Sequence, residues 1–245
     1  MQHVLDQGNA RNELRAIVGD AGVLEGDAIE DDLKHDECLT TPPGMPDFVV
    51  RPTTTDQVAR LLRVANEYRI PVTTRGAGTG LSGGCTPRAG GILLCLDRMN
   101  RILEVDESNH VAVVEPGVTL GDLDLATEKK GLVYPIFPGE NSASLGGNVA
   151  TNAGGMRAVK YGVTRNQVLG LEAVLPSGEI IRTGGKFVKV SSGYDLTQLL
   201  IGSEGTLAIV TQVTVKLFPR MPIWSTVLAP FKSLEEVARA VPALV

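Results

Sequence analysis

Glycine is concentrated in two short stretches of this chain. Seven of its 28 glycines fall between Arg75 and Gly91, and five more between Gly139 and Gly155. Clustered glycine marks backbone that turns tightly or approaches something closely, because no Cβ stands in the way. Residues 75–84 read Arg-Gly-Ala-Gly-Thr-Gly-Leu-Ser-Gly-Gly and follow the strand-like run Val72-Thr73-Thr74. Successive backbone N–H groups in such a loop form a concave nest for a phosphate or pyrophosphate, and Thr79 and Ser82 add hydroxyl donors. The same residues also allow a plain flexible surface loop.

One motif in that loop misleads. Gly78-Thr79-Gly80-Leu81-Ser82-Gly83 fits the G-x-G-x-x-G dinucleotide fingerprint, with Asp97 at about the spacing of a ribose-binding acid. The fingerprint works only where a helix starts inside it and points its N-terminus at the pyrophosphate. Here Gly83 to Gly91 follows, a run with Pro87 and four glycines that cannot be helical. A nicotinamide-type Rossmann site is therefore rejected.

The surrounding pattern mixes helices and strands. An N-terminal helix is expected over Asn9–Val18, from Leu14, Ile17 and Val18. Asp27 to Glu37 reads as an acidic solvated face or loop, and the prolines around Gly44 as an extended connector. A β-α-β run follows. Phe48 to Val50 is a strand, and a helix capped by Thr54 or Thr55 buries Val58, Leu61, Leu62 and Ala65. Pro71 stops that helix before the strand at Val72, and Ile92 to Leu96 is another strand. Ile102 to Val105 and His110 to Glu115 form a hairpin around Asp106–Asn109. Thr119 caps a helix to about Lys130, closed by Gly131. Pro176-Ser177-Gly178 joins the strands 168–175 and 179–182. A short helix is expected over Tyr194–Leu200 and a long strand over Thr206–Leu217, rich in β-branched residues. Trp224 to Leu228 reads as a further strand, and Ser233 as the cap of a last helix.

The second cluster, Pro138 to Gly155, is dominated by small and hydroxylated residues. Ser142 or Ser144 caps a short helix there, whose free N–H groups would suit an anion. Tight packing at Gly146 and Gly147 is the other use of such residues. The third segment, Gly202-Ser-Glu-Gly-Thr-Leu-Ala-Ile-Val210, joins a helix to the long strand through a sharp turn at Glu204.

Composition narrows the function classes. A chain of 245 residues with 43% hydrophobic and 21% charged residues buries a real core. A net charge of −5 argues against a general nucleic-acid binder. Three cysteines without metal-type spacing fit a reducing compartment. No apolar run approaches a membrane span, and the N-terminus has no signal-peptide core.

The three segments in order, with Tyr161-Gly162 and Gly193-Tyr-Asp-Leu196, resemble the FAD-binding domain of FAD-linked oxidases, the fold shared with vanillyl-alcohol oxidase. The likeness covers about residues 45–220. It is greatest to the D-2-hydroxyacid dehydrogenase branch, which includes the FAD-binding subunit of glycolate oxidase and the D-lactate dehydrogenases. It implies an α+β fold of two FAD-binding subdomains with a truncated cap domain. The division would be an N-terminal helical segment (1–44), two subdomains (45–105 and 106–220) and the start of a cap (221–245). It also implies FAD held between the subdomains. The loop Arg75, Gly76, Ala77, Gly78, Thr79, Gly80 and Leu81 would wrap the pyrophosphate. Pro138, Gly139, Ser142 and Ser144, with Thr151, Asn152 and Gly154, would line the flavin and its ribityl chain, and Gly147 joins the same set. Glu204, Gly205, Ile209 and Val210 would give contacts to the dinucleotide.

Some relatives attach flavin through a histidine in the first loop. Thr79 stands there in this chain, and the histidines are His3, His35 and His110, so the resemblance implies non-covalent FAD. Glycine is common in the family where Ala208 stands, a neutral change. The reaction implied is oxidation of a D-2-hydroxyacid, glycolate or D-lactate, by hydride transfer to flavin N5. Electrons would leave to a quinone, cytochrome or flavoprotein, with further subunits of a glycolate oxidase-type complex as partners. The setting is cytoplasmic or peripheral to the inner face of the membrane. No catalytic base and no metal site are identified, since the family places them in the cap. Two readings stay open beside this one. One is another chemistry on the same fold, of the alkyl-dihydroxyacetonephosphate synthase, sugar oxidase or nucleotide-sugar reductase kind. The other is a flavin-binding subunit or fragment without catalysis of its own.

Overall fold

In the first sheet, two strands are buried on both faces and a long glycine loop leaves its edge strand. The computed structural model describes residues 2–223 and 225–244. Helix α1 (Gln2–Val18) starts earlier than expected and buries Ala10, Leu14 and Ile17. Strand β1 is Val23–Leu24. The acidic stretch after it is not simply solvated. Short 3-10 turns press Ile29 and Leu33 onto Val49, Leu93 and Cys95, and Asp36 is 5% exposed. Ile29 and Leu33 lie four residues apart, a spacing that brings both to one side among the surrounding acids.

The β-α-β run forms as its pattern requires. It comprises β2 (Phe48–Val50), α2 (Thr55–Tyr68), β3 (Val72–Arg75) and β4 (Ile92–Cys95). Thr54 is the cap, accepting from Gln57 N at 3.2 Å, a contact of about 1 kcal/mol. Helix α2 buries Val58, Leu61, Leu62 and Ala65. The strand order is β1-β2-β4-β3, with β4 parallel to both neighbours and β1 antiparallel. β2 and β4 are buried throughout, as strands of a parallel sheet covered on both sides must be. Residues 76–91 connect β3 to β4 with no helix. A connection of that length without secondary structure inside a domain is usually functional.

The second sheet is antiparallel. Its strands are β5 (Ile102–Asp106), β6 (Val111–Val114), β8 (Val168–Val174), β9 (Ile180–Gly184) and β10 (Ile209–Lys216). Their order is β5-β6-β10-β8-β9. Between β6 and β8 lie α3 (Leu120–Glu128), β7 (Leu132–Val133), α4 (Leu145–Thr151) and α5 (Ala158–Tyr161). β7 pairs with β11 (Phe218–Pro219). Thr119 caps α3 by accepting from Asp122 N at 3.1 Å. Helix α6 (Leu196–Leu200) starts two residues later than Tyr194, because Asp195 caps it by accepting from Gln198 N at 3.0 Å. The long strand begins at Ile209 and not at Thr206, whose N–H donates to Ser203 O in a turn. Trp224 lies outside the described residues, and 225–228 form no strand. Ser233 caps α7 (Leu234–Leu244) by accepting from Glu236 N.

The two sheets share a core. Val174 of β8 and Ile209 of β10 pack among Val58 of α2 and Ile92 and Leu94 of β4. Thr55 Oγ1 donates to Glu172 Oε1 at 2.8 Å, and the Arg63 guanidinium donates to Gly178 O at 2.8 Å, fastening α2 to the β8–β9 hairpin.

Candidate functional site

Between the sheets runs a cleft of about 310 Å³, near the lower end for ligand sites. The first glycine loop forms one wall, α4 another, and the turn before β10 a third. Of the residues expected at a cofactor site, Gly76, Ala77, Gly78, Thr79, Gly80 and Leu81 line it. So do Pro138, Ser144, Gly147, Thr151, Glu204, Gly205, Ile209 and Val210. Arg75, Gly139, Ser142, Asn152 and Gly154 are not in its lining.

The first loop presents donors. Ala77 N donates to Ser144 Oγ at 3.2 Å. Among the described residues, the N–H groups of Gly76, Gly78, Thr79, Gly80 and Leu81 donate to no protein acceptor. The Gly80 carbonyl is held by Glu37 N at 2.9 Å, which ties the loop to the N-terminal segment. Arg75 is 5% exposed and lies behind the loop. Its guanidinium donates to His35 O at 2.6 Å and stands 3.8 Å from Asp32, and a Cβ on Gly78 would overlap it. Arg75 thus braces the loop from behind. Cys85 also faces the cleft, its thiol pushed up by burial.

The second cluster is built differently. Ser144 is the cap of α4, accepting from Gly147 N at 3.3 Å. The expected free N–H groups are not free. Leu145 N donates to Val118 O at 2.8 Å and Gly146 N to Pro116 O at 2.8 Å. A Cβ on Gly146 would come within 2.5 Å of Pro116 Cβ, so close packing is that glycine's use. At the other end, the Val149 and Ala150 carbonyls accept from Gly202 N and Glu204 N. Asn152 ends the helix at φ 51, and its Oδ1 accepts from Arg165 N at 3.0 Å. Glu204 and Gly205 both have positive φ, which makes the sharp turn expected there.

Sequence reasoning missed Asp36 and Glu37, Thr74, Leu96, Pro116 and Asn148, all in the lining. Nothing local marks the first two as more than an acidic loop. Asn148 could have been found from the cap, since Ser144, Gly147, Asn148 and Thr151 share one helix face at 3- and 4-residue spacing. No lysine or arginine is in the lining, among the described residues. An anion in the cleft would meet N–H groups and no basic side chain, and the carboxylates of Glu37, Glu140 and Glu204 are acceptors suited to sugar hydroxyls. Ser142 N bonds Glu140 at 2.9 Å and holds its carboxyl below the ordinary value.

A profile of the FAD binding domain family matches residues 46–184. The chain belongs to that family. An uncharacterized FAD-linked oxidoreductase of Mycobacterium tuberculosis is 61% identical over 228 residues, 93% of this chain and 50% of that protein. A D-lactate dehydrogenase of Anaerostipes hadrus is 47% identical, over 90% of this chain and 46% of that one. The glycolate oxidase subunit GlcD of Bacillus subtilis is 48% identical, over 82% and 43%. The chain thus spans about half the length of the curated relatives it matches. Among solved structures, p-cresol methylhydroxylase superposes with a TM-score of 0.78 at 26% identity, covering 89% of this chain and 44% of its own. The α+β fold of this FAD-binding domain is therefore that of the vanillyl-alcohol oxidase type.

The residues fit the family's cofactor. The row of unpaired N–H groups suits a pyrophosphate. A Cβ on Gly76 would overlap Ser144 Oγ, and one on Gly84 would come within 2.5 Å of Glu204 Oε2, so glycine lets the loop close against the other two walls of the cleft. Asn148, 4% exposed, has an Nδ2 donor without a partner. Such a buried group costs about 1–3 kcal/mol until it is met.

Proposed function

We propose that this chain is the FAD-binding part of an oxidoreductase that oxidises a D-2-hydroxyacid such as glycolate or D-lactate. The observation that carries the reading is its 47–48% identity to a D-lactate dehydrogenase and a glycolate oxidase subunit across most of its length. The chemistry that FAD supplies is two-electron acceptance from the substrate α-carbon at flavin N5. The chain's own residues bind and orient. The loop 76–81 neutralises the pyrophosphate through N–H groups, and Arg75 holds that loop in shape from behind. Ser144 sets the spacing between loop and α4. Leu96, Pro116, Ile209 and Val210 give the rings an apolar, water-poor bed.

The same proposal extends to organisation. Two FAD-binding subdomains lie within 45–220, and residues 221–245 begin the region that faces substrate. FAD is held non-covalently, since Thr79 faces the cleft in the loop where some relatives carry histidine. Electrons pass to a quinone, cytochrome or flavoprotein, in a complex of the glycolate oxidase kind. Exposed Ile223, Val227, Leu228 and Leu234 favour contact with further protein surface. Among the described residues no helix is long and apolar enough to cross a membrane. That agrees with a cytoplasmic or membrane-peripheral setting.

A visible spectrum of the purified chain, before and after acid precipitation, tests the cofactor. Flavin bands that pass into the supernatant are expected. Flavin retained in the pellet overturns the non-covalent reading, and a colourless chain that takes up no added FAD overturns the whole. Anaerobic glycolate or D-lactate is expected to bleach the bands. Bleaching by L-lactate or a sugar alone would overturn the substrate assignment.

A further inference from the structure

Helix α4 turns one polar face to the cleft. Ser144, Gly147, Asn148 and Thr151 share it, and all four line the cavity. Three of them are already engaged inside the protein. Ser144 Oγ accepts from Ala77 N and Gly147 N, and Thr151 Oγ1 donates to Gly147 O at 3.0 Å. The backbone of α4 is likewise satisfied at both ends. Asn148 is the exception. Its side chain bonds to none of the described residues, its Nδ2 is fully buried, and the residue is 4% exposed. A helix whose other polar groups are paired, with one buried unpaired carboxamide on the face that lines a cofactor cleft, is shaped for a partner that the protein does not itself supply.

We infer that Asn148 is a cofactor-reading residue, whose carboxamide hydrogen-bonds the edge of one heteroaromatic ring of the dinucleotide. The inference rests on the FAD reading above. A carboxamide offers a donor beside an acceptor. Adenine presents the complement, an amino group beside a ring nitrogen, and asparagine pairs with that edge in nucleic-acid recognition. The flavin edge presents the same complement, a ring N–H beside a carbonyl. The shared chemistry is thus a planar ring with adjacent donor and acceptor, lying on Leu96, Pro116 and Ile209.

Titration of the cofactor-free chain and its Asn148→Ala variant with FAD, ADP and FMN tests this, beside thermal melting without ligand. Asn148→Ala should weaken FAD about tenfold or more. It should weaken either ADP or FMN by a similar factor and leave the other unchanged, which tells the two halves apart. Without ligand it should melt at the wild-type temperature or above, because the unpaired donor is gone. Asn148→Asp keeps the shape and removes the donor, and should follow alanine in affinity. Unchanged FAD affinity in Asn148→Ala overturns the inference. Equal weakening of ADP and FMN together with a lower melting temperature makes Asn148 a structural residue and also overturns it. Wild-type protein that binds no FAD overturns the cofactor reading and the inference together, whereas wild-type binding with unaffected variants overturns the inference alone.

Discussion

The two glycine clusters look alike in sequence and do opposite things. In the first, residues 76–81, every backbone donor except Ala77 N is left without a protein partner among the described residues, and the glycines let the loop fold tightly against the Ser144 and Arg75 side chains. In the second, the donors that begin α4 are taken by Pro116, Val118 and Ser144, and the glycines let backbone meet backbone. A Cβ on Gly155 would overlap the Phe137 carbonyl, and one on Gly146 would press on Pro116. Glycine density therefore reports close approach without saying to what. The fate of the neighbouring N–H groups tells ligand from packing.

Substitutions can break this contrast. The largest effect is expected at Gly155, where alanine meets a carbonyl that cannot turn away. Gly155→Ala should destabilise by about 3 kcal/mol, read from the urea midpoint, with little change in FAD affinity per folded molecule. Gly80→Ala, whose Cβ would make only ordinary contact with Asp36, should do the reverse. It should weaken FAD by about tenfold, about 1.4 kcal/mol, while cofactor-free stability moves by less than about 1 kcal/mol. Comparable losses of stability in both variants would erase the distinction. Arg75→Met is expected to fall between them, lowering stability by about 1 kcal/mol and FAD affinity several-fold, because the guanidinium that shapes the loop is removed. Titration calorimetry beside melting curves would separate the two losses.

Thiol labelling gives the smallest and sharpest probe. Hydrogen bonds from Thr40, then Thr41, bring Cys38 down to about 7, whereas burial pushes Cys85 up and Cys95 up to about 12. Thiolate is the reactive form, so Cys38 alkylation should climb through pH 7 and level off by about pH 8, with Cys85 and Cys95 lagging there. FAD should slow labelling of Cys85, which faces the cleft, and leave Cys38 alone. Mass spectrometry that found Cys85 equally labelled with and without FAD would remove the first loop from the cofactor's neighbourhood.

Much of this was legible because local signals agreed. Thr54, Thr119 and Ser233 each cap the helix that apolar spacing announces, and β10 announces itself by its β-branched run. The misleading G-x-G-x-x-G fell to a simple test, since no helix can follow Gly83. What escaped was set at long range. Asp36 and Glu37 reach the cleft only because the N-terminal segment folds back on the loop through Glu37 N and Gly80 O. Arg75 looks like a phosphate ligand in sequence, and its place behind the loop depends on Asp32 and His35. The N-terminus of α4 looks free until Pro116 and Val118 are seen beside it.

The shared core beneath the cleft bears on how a ligand enters. Val174 and Ile209 belong to one sheet and are buried in the other, and α2 is pinned to the β8–β9 hairpin. Parting the sheets would expose both side chains, at roughly 1.5–3 kcal/mol each, before any hydrogen bond is counted. The halves of this cradle do not swing like jaws. Loading and release fall to the walls that lack regular structure, the long glycine loop and the short turn before β10, so exchange of the cofactor should follow loop motion and not a hinge between domains.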